Sequence, residues 1–153
     1  MNRILLGSLF FLILQNPVFA INLPLTAVDG SSANLNQFEG KWVVVNYWAT
    51  WCPPCIEEIP ELQAFHDENS KTAMVVGINS EVIDRMRLES FLYSFLIRYP
   101  IFITSEGQPS ELGEITNLPT TFLVSPGGKL VARQVGPVTQ AMIEKFISNW
   151  SSP

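Results

Sequence analysis

Cysteine and histidine are scarce in this chain, which has only Cys52, Cys55 and His66 among its 153 residues. A closed zinc site needs four nitrogen or sulfur ligands, so these residues cannot complete one within a single chain. A zinc site shared between chains is the only such arrangement left open. We therefore expect no bound metal and no other cofactor.

Positive charge is also scarce, because 9 Lys and Arg residues stand against 14 Asp and Glu residues, for a net charge of −5. This balance argues against nucleic acid and anionic membrane surfaces as main partners, since both attract basic proteins. Hydrophobic residues make up 47% of the chain and charged residues 15%. That composition supplies the core of one domain, and no part of the chain reads as disordered.

No hydrophobic run reaches the roughly 20 apolar residues that a membrane-spanning helix needs. The longest, residues 4–14, follows Arg3, while Val18 and Ala20 fit positions −3 and −1 of a cleavage site. We expect residues 1–20 to be a secretory signal peptide, with an uncleaved membrane anchor as the alternative. The folded domain is then residues 21–153, in a compartment where disulfides can form.

Strand and helix patterns alternate along that domain. Continuous apolar, β-branched runs at residues 41–47 and 73–78 predict buried strands, and apolar residues at every third position predict a helix over 55–68. Further strands are expected at 23–28, 33–35, 101–104, 120–124 and 129–135, helices at 81–99 and 139–150, and helical turns at 110–115. This order predicts an α/β domain with a central mixed sheet flanked by helices.

The last two predicted helices each carry an apolar face that we expect to be buried. These faces comprise Met86, Phe91, Phe95 and Leu96 in the first helix, and Met142, Ile143, Phe146 and Ile147 in the second.

The cysteine pair, which follows the first buried strand, is a redox centre, part of a metal site or a local crosslink. A crosslink between residues three apart closes so small a loop that it restrains the unfolded chain little. At the start of a helix, however, Cys52 lies at the positive end of the helix dipole, which favours the attacking thiolate. The pattern therefore predicts a redox-active disulfide, with Cys52 as the exposed nucleophile and Cys55 as the buried resolving thiol.

Two prolines, Pro53 and Pro54, separate the cysteines. Neither has an N–H group, so two donors that could stabilise the Cys52 thiolate are missing. We expect the thiol pKa to be less depressed, and the couple more reducing, than with two N–H groups at these positions.

Two motifs, WATWCPPC at residues 48–55 and PTTFLVSPGGKL at residues 119–130, resemble those of the thioredoxin superfamily. More narrowly, the chain resembles the TlpA/ResA/CcmG group (CcmG is also called DsbE) of extracytoplasmic thiol–disulfide oxidoreductases, over nearly all of residues 21–153. The resemblance implies a thioredoxin fold with an N-terminal β extension and, at residues 81–113, a central insertion.

The resemblance also assigns roles to single residues. It implies a cis bond before Pro119, with the backbone of Leu118 open for pairing with an extended substrate. Glu58, three residues after Cys55, corresponds to a glutamate of the group, and helical spacing places it near the Cys55 sulfur as a partly buried group for proton transfer.

Asn46 and Trp51 complete the expected site. Thioredoxin itself has a buried aspartate where this chain has Asn46, which cannot titrate, so the proton relay is expected at Glu58 instead. Trp51, beside Cys52, is expected to shield the disulfide and, with Pro53 and Pro54, to offer partners an apolar contact surface.

By the same resemblance, the chain is expected to be a periplasmic, monomeric reductant of oxidised protein substrates, for example apocytochrome c. It would be recharged by a membrane thiol-electron donor of the DsbD/CcdA type. The alternatives are a disulfide oxidase or isomerase, or a copper chaperone. Against the last, thioredoxin-fold copper carriers have wider cysteine spacing and an extra histidine, which this sequence lacks.

Overall fold

The computed structural model describes residues 21–104 and 111–151, which form seven strands and three α-helices. The predicted signal peptide lies outside the described residues. The elements are β1 (Pro24–Ala27), β2 (Ser32–Asn34), β3 (Trp42–Trp48), α1 (Pro53–Asn69), β4 (Ala73–Asn79), α2 (Arg85–Ser94), β5 (Ile101–Ile103), β6 (Thr120–Val124), β7 (Leu130–Val135) and α3 (Gln140–Asn149).

The strands form one mixed sheet in the order β2-β1-β5-β4-β3-β6-β7. The central strand β3 runs parallel to β4 and antiparallel to β6, with Asn46 opposite both Gly77 and Thr121. Strands β4 and β5 are also parallel, so β3, β4 and β5 end at the same edge of the sheet. This confirms the predicted α/β domain, and the hairpin β1–β2 is the expected N-terminal β extension.

Alternate residues of β3 enter two separate hydrophobic clusters. Val44 lies with buried residues of all three helices, whereas Val43 and Val45 face a cluster covered by the N-terminal residues Leu23 and Leu35. Because both faces of the strand are buried, its sequence is a continuous apolar run rather than an alternating one.

The second helix is shorter than predicted, since α2 spans Arg85–Ser94 instead of residues 81–99. The Asp84 side chain accepts hydrogen bonds from the backbone N–H groups of Met86 and Arg87, which fixes the first turn. Leu96 has a φ of 53°, a left-handed conformation that is typical just after a helix ends. The predicted helical turns at 110–115 are also wrong for the described residues 111–115.

The expected apolar faces are only partly correct. In and after α2, Met86, Phe95 and Leu96 are exposed, and Leu88 is the residue that is buried instead. In α3, Ile143 is buried as predicted, whereas Met142 is exposed. A short helix on the surface needs only one or two inward positions, so further apolar residues remain in solvent.

Gly77 allows three large side chains to approach the middle of β4. A Cβ atom at this position would lie 2.6 Å from Ile101 Cδ1, 3.1 Å from Trp48 Nε1 and 3.1 Å from Tyr99 Cε2. We expect Gly77→Ala to lower the free energy of unfolding by about 1–3 kcal/mol through overpacking. Denaturant titration measures this, and Gly127→Ala, where a Cβ meets nothing within 4 Å, is the control. Equal stability of the two variants would contradict the expectation.

Candidate active site

The cysteine pair lies where β3 ends and α1 begins. Cys52 and Cys55 form a disulfide with an S–S distance of 2.07 Å. Cys52 is the N-cap residue of α1, and its carbonyl oxygen accepts a hydrogen bond of 3.1 Å from Ile56 N. Pro53 and Pro54 occupy the first two helical positions, where a missing N–H breaks no helical hydrogen bond, so the helix begins two residues before the predicted start.

Both cysteines are enclosed in the disulfide form, with 4% of Cys52 and 1% of Cys55 exposed. The prediction of an exposed Cys52 is therefore wrong for this state. The physical reason is that the N-cap residue packs into the cluster shared with the helices, together with Ala49 and Leu62. The neighbouring Trp51 is 67% exposed.

A groove of about 830 Å³ opens beside the disulfide. The Leu118–Pro119 peptide bond at its rim is cis, and Pro119 leads directly into β6. The groove brings together Cys52 and all four predicted substrate-binding residues, namely Trp51, Pro53, Pro54 and Leu118. Residues 23–26 and 115–117 also line the groove.

Glu58, on the buried face of α1, is fully buried rather than partly buried as predicted, with 2% of its surface exposed. Its Oε1 accepts a hydrogen bond of 2.7 Å from Asn46 Nδ2, and its Oε2 accepts one of 2.9 Å from Val138 N. Burial raises the pKa of Glu58 to about 7, although both hydrogen bonds act in the opposite direction. The carboxyl group can therefore gain or lose a proton near neutral pH.

Asn46 links Glu58 to the strand that follows the cis bond. Its Nδ2 also donates a hydrogen bond of 3.0 Å to Thr121 Oγ1, so one amide group joins β3, α1 and β6. The sequence indicated that Asn46 cannot titrate, but it did not show that Asn46 and Val138 N hold the two oxygens of Glu58. The helical spacing of Glu58 from Cys55 and the family resemblance both pointed to this cluster.

Residues 21–104 and 111–151 contain neither a metal-binding cluster nor a membrane-spanning helix. No group of three or more His, Cys, Asp or Glu side chains there is arranged to hold a metal ion. None of the helices in these ranges has the length and hydrophobicity to cross a membrane.

Comparison with known proteins agrees with the geometry of the site. Residues 15–133 match the AhpC/TSA family. The thiol-disulfide oxidoreductase ResA of Halalkalibacterium halodurans is 30% identical over 129 residues, which cover 84% of this chain and 73% of that protein.

Two solved structures show the same fold. A DsbF homologue from Corynebacterium diphtheriae superposes with a TM-score of 0.77 at 25% identity, covering 85% of each chain. A thiol:disulfide interchange protein of the thioredoxin family from Chlorobium tepidum gives a TM-score of 0.73 at 26% identity, covering 87% of this chain and 95% of that one. The expected thioredoxin fold is thus confirmed. The chain belongs to the AhpC/TSA family and, within it, to the thiol–disulfide oxidoreductases.

Proposed function

We propose that the protein is an extracytoplasmic reductant of protein disulfides that cycles Cys52 and Cys55 between dithiol and disulfide. The observation that carries this proposal is Glu58, a buried carboxyl group one helical turn beyond Cys55 whose pKa is raised to about 7. A group that titrates there can exchange the proton that a thiol must lose before it attacks. Residues 1–20, as a secretory signal, would deliver the chain to the periplasm.

The reaction needs no cofactor, because two thiols supply two electrons. The Cys52 thiolate attacks one sulfur of the substrate disulfide, and the other substrate sulfur leaves as a thiolate that takes up a proton. Cys55 then loses its proton and attacks the Cys52 sulfur, which forms the Cys52–Cys55 disulfide and releases the second substrate thiol. The substrate disulfide is reduced, and the dithiol of the protein is oxidised.

Glu58 is proposed to accept the proton from Cys55 in the second step. It lies on the same face of α1 as Cys55, because residues three apart are neighbours on a helix. The hydrogen bonds from Asn46 and Val138 hold both carboxylate oxygens in the buried cluster. Burial disfavours the ionised carboxylate, whereas the two hydrogen bonds favour it. Because the resulting pKa is about 7, Glu58 can accept and release the proton near neutral pH.

The partner side of the proposal rests on the groove and on family resemblance. Trp51 and Leu118 give the groove an apolar wall next to Cys52, which suits an unfolded or extended protein segment such as apocytochrome c. The disulfide form would be reduced again by a membrane thiol-electron donor of the DsbD/CcdA type. The proposed working form is a monomer.

Incubation of the reduced protein with a protein disulfide tests the function directly. We expect stoichiometric loss of the substrate disulfide and formation of the Cys52–Cys55 bond, counted by mass spectrometry after alkylation. A reduced protein that leaves substrate disulfides intact, or an oxidised one that introduces disulfides into reduced substrates efficiently, would contradict the proposal.

The two prolines are proposed to set the direction of electron flow. Cys52 receives no side-chain capping hydrogen bond, and Pro54 removes the N–H at the second helical position, where an N-cap side chain usually finds a donor. We expect Pro54→Ala to lower the Cys52 thiol pKa and to make the couple more oxidising by about 30 mV, a tenfold change in the equilibrium constant. Equilibration with glutathione measures the shift.

A proline outside the site provides the control for that variant. Pro126 lies in the turn between β6 and β7, and Pro126→Ala should leave the potential unchanged. A potential that does not move in Pro54→Ala would show that the missing N–H plays no part in setting the redox balance.

A further inference from the structure

A second carboxylate, Glu81, lies at the edge of the sheet that carries the disulfide. It follows β4 and lines the groove together with Cys52 and Trp51. The family comparison assigns it no role, and no sequence pattern singled it out. Its contacts connect it to the residue that precedes Trp51 and Cys52.

Glu81 receives three hydrogen bonds on its two oxygens. Thr50 donates twice, from its backbone N to Oε1 at 2.8 Å and from Oγ1 to Oε2 at 3.1 Å. Asn79 Nδ2 donates to the same Oε1 at 2.9 Å. Bonds to a charged acceptor are stronger than neutral ones, and the paired contacts with Thr50 fix its backbone and its side chain together.

The bonds to Glu81 join the ends of neighbouring strands. Asn79, which is fully buried, also accepts a hydrogen bond of 3.2 Å from Glu81 N through its Oδ1. The carbonyl oxygen of Asn79 accepts one of 3.1 Å from Thr104 N, just after β5. The chain between β3 and α1 is thereby tied to the ends of β4 and β5.

We propose that Glu81 is a positioning residue for disulfide exchange, which holds the Thr50–Cys52 segment so that the Cys52 sulfur faces the groove. This inference rests on the proposed redox function. In the dithiol state the Cys52–Cys55 crosslink is open, and the backbone of Cys52 keeps a 3.3 Å hydrogen bond from its N to Ala49 O and a 3.1 Å hydrogen bond from Ile56 N to its carbonyl oxygen. Beside the 2.9 Å backbone hydrogen bond from Ser80 N to Trp48 O, the two hydrogen bonds from Thr50 to the Glu81 carboxylate link this segment to the residues that follow β4.

Two substitutions separate the hydrogen bonds of Glu81 from its charge. Gln at position 81 keeps an oxygen for Thr50 N and Asn79 Nδ2, and its amide can donate to Thr50 Oγ1. Ala at position 81 removes all three contacts. We expect Glu81→Ala to slow attack by Cys52 about tenfold, since small displacements of a reacting group are costly. Glu81→Gln should stay within about twofold of the unaltered protein, because its contacts to Thr50 are retained.

The test follows oxidation of the reduced full-length protein by oxidised glutathione, with tryptophan fluorescence as the signal. Thermal unfolding of each variant confirms that the rates are measured on folded protein. A purely structural role would lower the unfolding midpoint and leave the rate constant of the folded protein unchanged. Glu89→Ala is the matched control, because Glu89 pairs with Arg85 on the exposed face of α2.

The outcomes are distinguishable. A slow Ala variant with rescue by Gln supports the positioning role. Equal rates in all variants would overturn it. An equal loss of rate in Glu81→Gln and Glu81→Ala would also overturn it, because the charge of Glu81 and not its hydrogen bonds would then set the rate. If Glu81→Ala does not fold, Thr50→Val removes only the bond to Oε2 and should slow the reaction about twofold to threefold. Unaltered protein that does not react with oxidised glutathione would instead refute the proposed function.

Discussion

Replacing Cys55 with serine is expected to convert the protein into a trap for its substrate. Cys52 can still attack a substrate disulfide, but no thiol remains to release the mixed disulfide. Turnover should fall by at least about 10³-fold, the scale expected when a member of a catalytic unit is removed. The measurement is a covalent adduct on Cys52 in the native cell envelope, identified by mass spectrometry after non-reducing electrophoresis.

The matched variant for the trap is Cys52→Ser. Cys52 lines the groove, whereas Cys55 does not and has 1% of its surface exposed, so Cys55 should form no adduct with a protein partner. If Cys52→Ser formed as much mixed disulfide with partner proteins as Cys55→Ser does, the assignment of Cys52 as nucleophile would be wrong. Equal turnover of Cys55→Ser and the unaltered protein would remove the resolving role of Cys55.

Glu58→Gln is expected to change both the stability and the rate of the protein near neutral pH. Because the pKa of Glu58 is about 7 in the folded chain and 4.5 for an ordinary glutamate, the folded state binds this proton more tightly than the unfolded state does. The resulting stabilisation is complete below pH 4.5 and is lost as pH rises through about 7. The loss amounts to about 3 kcal/mol. Denaturant titrations of the oxidised protein across this range should show the fall, and Glu58→Gln should lack it.

The kinetic consequence of Glu58→Gln concerns the resolving step. Without a carboxylate to accept the Cys55 proton, formation of the Cys52–Cys55 bond should slow by about 10²-fold near pH 7.5. Stopped-flow measurement of this step, together with the pH profile, checks the expectation. Glu57→Gln is the control, since Glu57 is exposed on the same helix. Unchanged thiol pKa values and an unchanged rate in Glu58→Gln would end the proposed role.

The strands and the helix that carry the cysteines were predictable from local sequence. The runs at residues 41–47 and 73–78 are buried on both faces, and such strands leave a continuous apolar pattern. The hairpin between β6 and β7 was marked by Ser125, Pro126 and the two following glycines. In these places local preference and tertiary packing favour the same structure.

The errors come from places where a local capping group or the depth of packing decides the outcome. The N-cap at Asp84 makes α2 begin at Arg85 instead of residue 81. Periodicity alone could not show that Leu88 is buried while Met86 is exposed. The enclosure of Cys52 depends on a cluster assembled from several elements.

The contacts of Glu58 likewise could not be predicted from the sequence. Its two donors lie 12 and 80 residues away along the chain. Spacing within α1 indicated that Glu58 lies near Cys55, but it gave no information on which groups would surround the carboxylate. The raised pKa follows from burial, which only the assembled fold determines.

The reduction potential of the Cys52–Cys55 couple tests the central claim most directly. It can be measured by equilibrating the full-length protein with defined ratios of reduced and oxidised dithiothreitol at pH 7 and counting free thiols. A reductant with two prolines between its cysteines should have a potential below about −220 mV, on the reducing side of glutaredoxins and near thioredoxin at about −270 mV. A value near about −120 mV, typical of a strong oxidant, would contradict the account.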